Sequence, residues 1–253
     1  MTLITNEIHM LDGFKKTVLV FAADQRISKL NGAFDSLRKK LFKIPYLSAG
    51  ISYFGLAQVF PNGRRQYLSD WLPVFIRKNS GAQNLGDFSS TLRDELHKIV
   101  PSSVLGANAS GFHIGGYNAQ GIPEFWFLTN IGGMDDFRYK DLAPRYSDPS
   151  SDFLRRDAVK LGWDGTNPAS VASVIQIYRN GDFRAHVAAW EKLDGMLAQL
   201  LGFPDFRKPK TPDDLGKWVK FKLEVIAYFY KNFADREIIS RPIDVFCLSR
   251  QLK

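Results

Sequence analysis

The chain has 253 residues, of which 45% are hydrophobic and 24% are charged, and its formal net charge is +8. This composition is typical of a soluble globular protein with its own core, and it excludes the disordered and fibrous classes. The apolar runs are shorter than the ~20 residues of a membrane span, and the N-terminus lacks a secretory signal pattern, so we expect a cytoplasmic protein without a membrane partner.

The basic residues are scattered among acidic ones outside the runs KKLFK and RKPK. No nucleic-acid motif accompanies them, so we predict no nucleic-acid partner. His9, His97, His113 and His186 lack metal-ligand spacing, and the single cysteine, Cys247, lies in an apolar run typical of a core strand. We therefore predict no metal site, no internal disulfide and no cofactor.

The first half of the chain begins with β-structure and continues with helices. Runs rich in β-branched and aromatic residues predict strands at 2–11, 17–23, 41–44 and 47–54. Asp12-Gly13 separates the first two runs and is a strong hairpin signal. Apolar residues then recur with helical spacing, which predicts helices at 67–76 and 87–99.

The second half alternates between the two periodicities. Two strands are predicted at 110–118 and 123–130, followed by loops around a short helix over 131–168. The pattern from 168 to 201 favours helix, interrupted at Asn180-Gly181. Further on, a helix is predicted at 213–233 and a last strand at 243–250.

Strands and helices are segregated along the chain, which indicates an α+β fold with mostly antiparallel pairing. The strands read as continuous apolar runs, as expected where helices cover sheets that are buried on both faces. We therefore predict a four-layer α-β-β-α sandwich with two mostly antiparallel sheets between helical layers. The simplest division is one domain over 1–253, with a helical elaboration at 165–235 and a terminal strand at 242–250.

Three segments carry a resemblance to a known family: VLVFAADQR (18–26), KKLFKI (39–44) and FGLAQV (54–59). Their order resembles the N-terminal half of proteasome β subunits and their bacterial proteasome-like relatives, in the N-terminal-nucleophile hydrolase superfamily. The Asp-x-Arg and Lys-Lys-Leu-Phe-x-Ile elements are weak alone and moderately specific together. The resemblance is strongest over 17–59, fades towards 130 and is architectural beyond.

The resemblance implies a role for each matching residue. Thr2 would be the nucleophile and its α-amine the base, as in threonine N-terminal hydrolases. Lys40 matches the family's catalytic lysine and Asp24 its acid, so an ion pair would keep Lys40 charged and aimed. Arg26 would support the acid, and the backbone N–H of Gly55 would stabilise the oxyanion. A tyrosine and a phenylalanine precede Gly55 where the family has smaller residues, which narrows the expected substrate pocket.

Hairpin register gives an independent expectation for the first strand. A turn about Gly13 and Phe14 places residue 2 or 3 opposite Asp24, and it disfavours Thr5 as the nucleophile. A free amine on Thr2 also requires removal of Met1.

The family also carries a further Ser and Asp near the amine, and the sequence does not choose among several candidates. They are Ser147, Ser150, Ser151, Asp152, Asp157, Asp164 and Ser170.

The implied function is that of a threonine peptidase or amidohydrolase. It would cleave peptides or unfolded protein as a homo-oligomer of rings or stacked rings, and the sequence does not specify an ATP-dependent unfoldase partner. Two alternatives stay open: a catalytically silent proteasome-like assembly or binding subunit, and a small-molecule amidase of the same superfamily.

Overall fold

The computed structural model describes residues 2–28, 33–136, 138–182, 184 and 186–252, apart from the side chains of Asp152 and His186. Met1, which must be removed to free the amine of Thr2, lies outside these residues. The strands are β1 (Leu3–Asp12), β2 (Lys16–Asp24), β3 (Arg26–Ser28), β4 (Phe34–Leu37), β5 (Leu41–Ile44), β6 (Ala49–Phe54), β7 (Gln58–Val59), β8 (Gln66–Tyr67), β9 (Gly111–Tyr117), β10 (Pro123–Thr129), β11 (Ile131–Asp135), β12 (Arg138–Leu142), β13 (Ile175–Gly181) and β14 (Ile243–Gln251). The α-helices are α1 (Leu68–Lys78), α2 (Leu85–Ile99), α3 (Ser102–Ala107), α4 (Asp152–Lys160), α5 (Glu191–Leu200) and α6 (Pro212–Phe233).

Two four-stranded sheets organise the chain, and every pairing within them is antiparallel. The first sheet has the order β13-β1-β2-β14, and the second has the order β10-β9-β6-β5. β11 with β12, β3 with β4, and β7 with β8 form separate two-stranded ribbons. The predicted α+β class with mostly antiparallel strands is therefore confirmed.

Three buried clusters show why the central strands read as continuous apolar runs. Alternate residues of β1 and β2 point to opposite faces of the first sheet, so both faces are apolar. One face packs on α6, through Leu3, Val18, Val20, Leu215, Val219 and Ile226. The other face packs on the second sheet, through Ile4, Ile8, Phe21, Leu41, Phe54 and Phe125. The far face of the second sheet packs on α1 and α2, through Ile51, Tyr53, Phe112, Leu72, Phe88 and Leu92.

Capping side chains fix where the main helices begin. Thr211 accepts a hydrogen bond from the backbone of Asp214, and the Asp214 side chain accepts one from the backbone of Thr211, which forms a capping box at the start of α6. Asn84 accepts a hydrogen bond from Asp87 N–H at the start of α2. In the part of the chain that the structure describes, no helix combines the length and the apolarity that crossing a membrane requires.

The helical prediction for 168–201 is wrong over its first part. Residues Ile175–Gly181 form β13, which pairs with β1 in the register Ile4 opposite Asn180. Strand pairing satisfies the backbone groups along the edge of β1, a long-range gain that local periodicity does not report. Helix is present only later, as a π-helical turn at His186–Trp190 and as α5.

Two smaller predictions also need correction. Residues 131–168 contain the short helix α4 as expected, but they also contain the hairpin of β11 and β12, whose Gly, Asp and Arg content resembled a loop. The strand predicted from 47 begins at Ala49, because Pro45–Leu47 form a 3-10 turn.

Candidate active site

A fully buried ion pair lies where β2 ends and β5 begins. Asp24 is the last residue of β2 and Lys40 directly precedes β5, and both are 0% exposed. Lys40 Nζ lies 3.0 Å from Asp24 Oδ1 and donates a second hydrogen bond of 2.6 Å to the carbonyl of Arg26. The carboxylate of Asp24, at the end of the apolar strand β2, thus contacts the residue that directly precedes a strand of the neighbouring sheet.

Backbone groups complete the surroundings of the pair. Leu3 N–H donates to Asp24 Oδ1 at 2.9 Å, and Arg26 N–H donates to Asp24 Oδ2 at 3.1 Å. Such contacts offset the desolvation of a buried carboxylate. Burial lowers the pKa of Lys40 below its ordinary value, although the charge of Asp24 and its hydrogen bond oppose this. Lys40 is therefore held against one carboxylate in a site where losing its proton is easier than in water.

Thr2 lies at the edge of this cluster. In the hairpin, Ile4 pairs with Ala23, so Leu3 is opposite Asp24 and Thr2 directly precedes it. The Thr2 carbonyl accepts a hydrogen bond of 3.1 Å from Asp182 N–H, just beyond β13. Thr2 is 6% exposed, so it is nearly enclosed. Thr5 pairs with Ala22, further from Asp24, in agreement with the register expectation.

A glycine permits the close contact between β13 and Thr2. A Cβ atom on Gly181 would lie 1.7 Å from the Thr2 carbonyl oxygen, and Gly181 has a φ of +113°. Only glycine combines that conformation with that approach. In the sequence, Asn180-Gly181 predicts a break in a helix, and this dipeptide marks the contact.

The structure separates the two functional groups of Arg26. Its carbonyl receives the Lys40 hydrogen bond, whereas its guanidinium extends to Glu237 at 3.3 Å and lies over the Phe34 ring. Arg26 therefore supports the pair mainly through its backbone.

Gly55 follows β6 in a left-handed conformation, with a φ of +78°. A Cβ atom there would lie 1.9 Å from the carbonyl oxygen of Ala109, so only glycine fits this turn. Gly55 is exposed, although the residues on either side of it are buried. Its backbone N–H therefore lies at a tight, solvent-facing turn at the end of the second sheet.

The two aromatic residues before Gly55 point to opposite faces of the second sheet. Tyr53 packs among the helices and donates to the carbonyl of Lys39 at 3.1 Å. Phe54 packs between the two sheets, with its ring 6.4 Å from that of His113 and 5.8 Å from that of Tyr139. Of these two aromatic residues, Phe54 is therefore the one that lies between the sheets.

A hydrogen-bonded chain that sequence reasoning missed reaches the same end of β13. His113 Nε2 and Asn180 Oδ1 are 2.5 Å apart, Asn180 Nδ2 donates to Tyr139 Oη at 3.1 Å, and Gly181 N–H donates to the same oxygen at 2.9 Å. The chain links the second sheet to the residue beside Thr2. Its members lie on β9, β12 and β13, too far apart in sequence for any motif.

Three of the seven candidate Ser and Asp residues have side-chain partners elsewhere, and the side chain of Asp152 lies outside the described part of the chain. Ser147 Oγ donates to the carbonyl of Thr129, Asp157 accepts from Tyr178 and Ser170 Oγ donates to the carbonyl of Asn167. The acidic residue that the structure brings to Thr2 is Asp182, whose carboxylate pairs with Arg184 at 2.6 Å.

Comparisons with known proteins give a coarse likeness to a solved structure. No protein-family model matches the chain, and the curated proteins contain no match. Among solved structures the chain is similar to Anbu (ancestral beta-subunit) from Yersinia bercovieri, with a TM-score of 0.44 and 10% sequence identity, over 98% of this chain and 86% of that one.

Proposed function

We propose that the chain is a threonine-type N-terminal-nucleophile hydrolase that cleaves amide bonds, with peptides or unfolded protein as the favoured substrate class. The observation that carries the proposal is the 2.9 Å hydrogen bond from Leu3 N–H to Asp24 Oδ1. It holds the residue next to Thr2 against the buried Asp24–Lys40 pair. The catalytic roles of Thr2, Asp24, Lys40 and Gly55 come from the resemblance of the motifs over 17–59.

The chemistry requires Thr2 to be the first residue of the mature chain. Its α-amine, with an ordinary pKa of about 7.7–8.0, takes the proton of the Thr2 hydroxyl as the oxygen bonds to the substrate carbonyl carbon. The positive charge of Lys40 favours the neutral, proton-accepting amine. The N–H of Gly55 stabilises the oxyanion. The proton then passes to the leaving nitrogen as the C–N bond breaks, and water hydrolyses the resulting ester.

We further propose that the chain forms a single domain with a four-layer α-β-β-α order. We also propose that it assembles into a homo-oligomer of ring or stacked-ring form. The three buried clusters support the layers, because each joins two successive ones. Sedimentation velocity tests the assembly, and a single species at the mass of one chain over the micromolar range would contradict it.

A second function, a catalytically silent assembly subunit, is favoured by the enclosure of the site. Thr2 is 6% exposed, Lys40 is 0% exposed and Phe54 fills the space between the sheets at 2% exposure. A substrate carbonyl needs room that these side chains occupy, so the hydrolase requires an opening at Phe54 or at the N-terminus.

One experiment separates the two functions. Intact mass of the purified chain reports whether Met1 is removed, and a threonine-directed β-lactone reports whether Thr2 is nucleophilic. The hydrolase predicts an adduct on the Thr2 peptide that is lost in Thr2→Ala and kept in the matched control Thr5→Ala. A folded chain that lacks Met1 and forms no adduct would favour the silent subunit.

A further inference from the structure

A cavity of about 430 Å³ opens between the edge strands of the two sheets. β5 contributes Leu41, Phe42 and Lys43, β14 contributes Asp244, Val245 and Phe246, and the C-terminal half of α1 closes the third side. Its volume lies within the range of small-molecule sites, and apolar side chains form much of its lining.

The charges around this cavity are unbalanced. Lys39, Lys43 and Arg77 line it and are exposed, and none of them forms an ion pair with any residue that the structure describes. The one acidic lining residue, Asp244, accepts a hydrogen bond of 2.8 Å from Gln25 at Oδ1, and its buried Oδ2 has no hydrogen-bond partner among the described residues. Three cations thus face a single carboxylate, and the cavity favours an anion.

Two aromatic side chains, Phe42 and Phe246, line the cavity beside these cations. Lys43 Nζ lies 5.6 Å from the centroid of the Phe246 ring, and Lys39 Nζ lies 5.9 Å from that of Phe42. Phe246 is held in place by stacking on Phe21 at 4.7 Å, and its ring fills the space above Gly50, where a Cβ atom would lie 2.4 Å away. The wall is therefore preformed.

The geometry points to a binding site for a small amphipathic carboxylate, with its apolar end against the Phe246 ring and its carboxylate at Lys43 and Arg77. Charge-assisted hydrogen bonds from these donors fix the anionic end, and ring contacts bind the apolar end. The site is separate from the proposed hydrolase chemistry. The cavity is nevertheless adjacent to the Asp24–Lys40 pair. Its lining residues Lys39 and Leu41 flank Lys40 in the sequence, and Ile243, which precedes the lining residue Asp244, pairs with Asp24.

The test compares naphthalene-2-carboxylate with naphthalene-2-carboxamide, which has nearly the same shape and no charge. Titration followed by backbone amide NMR is expected to shift resonances of residues 41–44, 74–77 and 244–246, with the carboxylate binding more tightly than the amide. Lys43→Gln and Arg77→Gln should each weaken carboxylate binding up to ~5-fold, the upper range for a solvent-screened pair. Lys78→Gln is the matched control, because it removes the same charge from the end of α1 without lining the cavity.

Three results would overturn the inference. They are equal affinity for acid and amide, unchanged carboxylate affinity in both lining variants, and shifts that map elsewhere, such as to the exposed rings at the end of α6. A second copy covering these strand edges would be recognised by shifts of the same resonances on dilution of the chain without ligand. The readout is binding, so the inference is tested even if the chain hydrolyses nothing.

Discussion

At the residue scale, burying the Asp24–Lys40 pair costs desolvation free energy, and removing one of its partners costs more stability still. Two charges without solvent contact require close geometry and further hydrogen bonds, and both partners have them. Removing one partner leaves the other charge buried alone. The pair therefore links the integrity of the fold to the candidate site.

We predict that Lys40→Met lowers the free energy of unfolding by about 3–5 kcal/mol, as expected for a broken buried pair. The double variant Asp24→Asn/Lys40→Met should lose much less than the sum of the two single losses, because neither leaves an unpaired charge. Urea unfolding of all four proteins measures the coupling. Additive losses would mean that the two groups do not interact.

Gly181 is the residue that holds the Thr2 carbonyl in close contact. Gly181→Ala should destabilise the chain by at least about 2 kcal/mol, because the strain of its positive φ adds to the collision with Thr2. Gly195→Ala is the control, since Gly195 lies inside α5 with open space around it and should stabilise by about 0.5–1 kcal/mol. Thermal unfolding compares the two variants, and similar shifts in Tm would contradict the assignment.

At the element scale, a second buried charge cluster ties α6 to β1. Glu7 Oε1 accepts from Lys222 Nζ at 2.6 Å and from Trp190 Nε1 at 3.1 Å, and Glu7 Oε2 lies 3.0 Å from His9 Nε2. Lys222 also bonds to Asp194 of α5 at 2.9 Å. Burial raises the pKa of Glu7, but the His9 hydrogen bond and the Lys222 charge outweigh it, and the pKa is lowered overall.

This cluster predicts a pH dependence. Since the folded-state pKa of Glu7 lies below its ordinary 4.5, its contribution to stability is present above that pH and is lost as pH falls through the folded value. The difference in unfolding free energy between the native sequence and Glu7→Gln should therefore shrink below pH 4.5. Glu224→Gln, which breaks a surface pair with Arg241 at 3.7 Å, should change stability by less than about 1 kcal/mol. A Glu7→Gln difference that grows on acidification would refute the prediction.

At the scale of the whole molecule, His113 lies where the two sheets meet. It is 1% exposed, is surrounded by the rings of Phe54, Phe125 and Phe127, and is hydrogen-bonded to Asn180 of the other sheet. Burial lowers its pKa to about 4, although the Asn180 hydrogen bond opposes this. A neutral imidazole is thus part of the packing between the sheets.

Protonation of His113 should therefore loosen the molecule in mild acid. The unfolded chain takes up this proton near pH 6.5 and the folded chain near 4, so stability should fall over that interval by on the order of 3 kcal/mol. Urea unfolding at a series of pH values should show a weaker dependence in His113→Asn. His97→Asn, which changes a more exposed ring, should keep most of the pH dependence of the unfolding free energy. An unchanged pH dependence in His113→Asn would contradict the prediction.

The sequence by itself determined the local structure and the spacing of the candidate groups. Turn chemistry at Asp12-Gly13 and a period of two set the register that brings Leu3 opposite Asp24. Periodicity also located α1, α2 and α6, because the apolar face of a helix or strand is a local property of the chain. The roles of Thr2, Lys40 and Gly55 stay predictions that rest on the motifs.

Only the tertiary structure decided which distant segments meet. β13 became a strand because β1 offered a free edge, and that pairing brought Asp182 to Thr2. Lys222 of α6 reached Glu7 of β1 across 215 residues of sequence. Such contacts depend on free edges and unpaired charges elsewhere in the chain, and no local pattern carries that information.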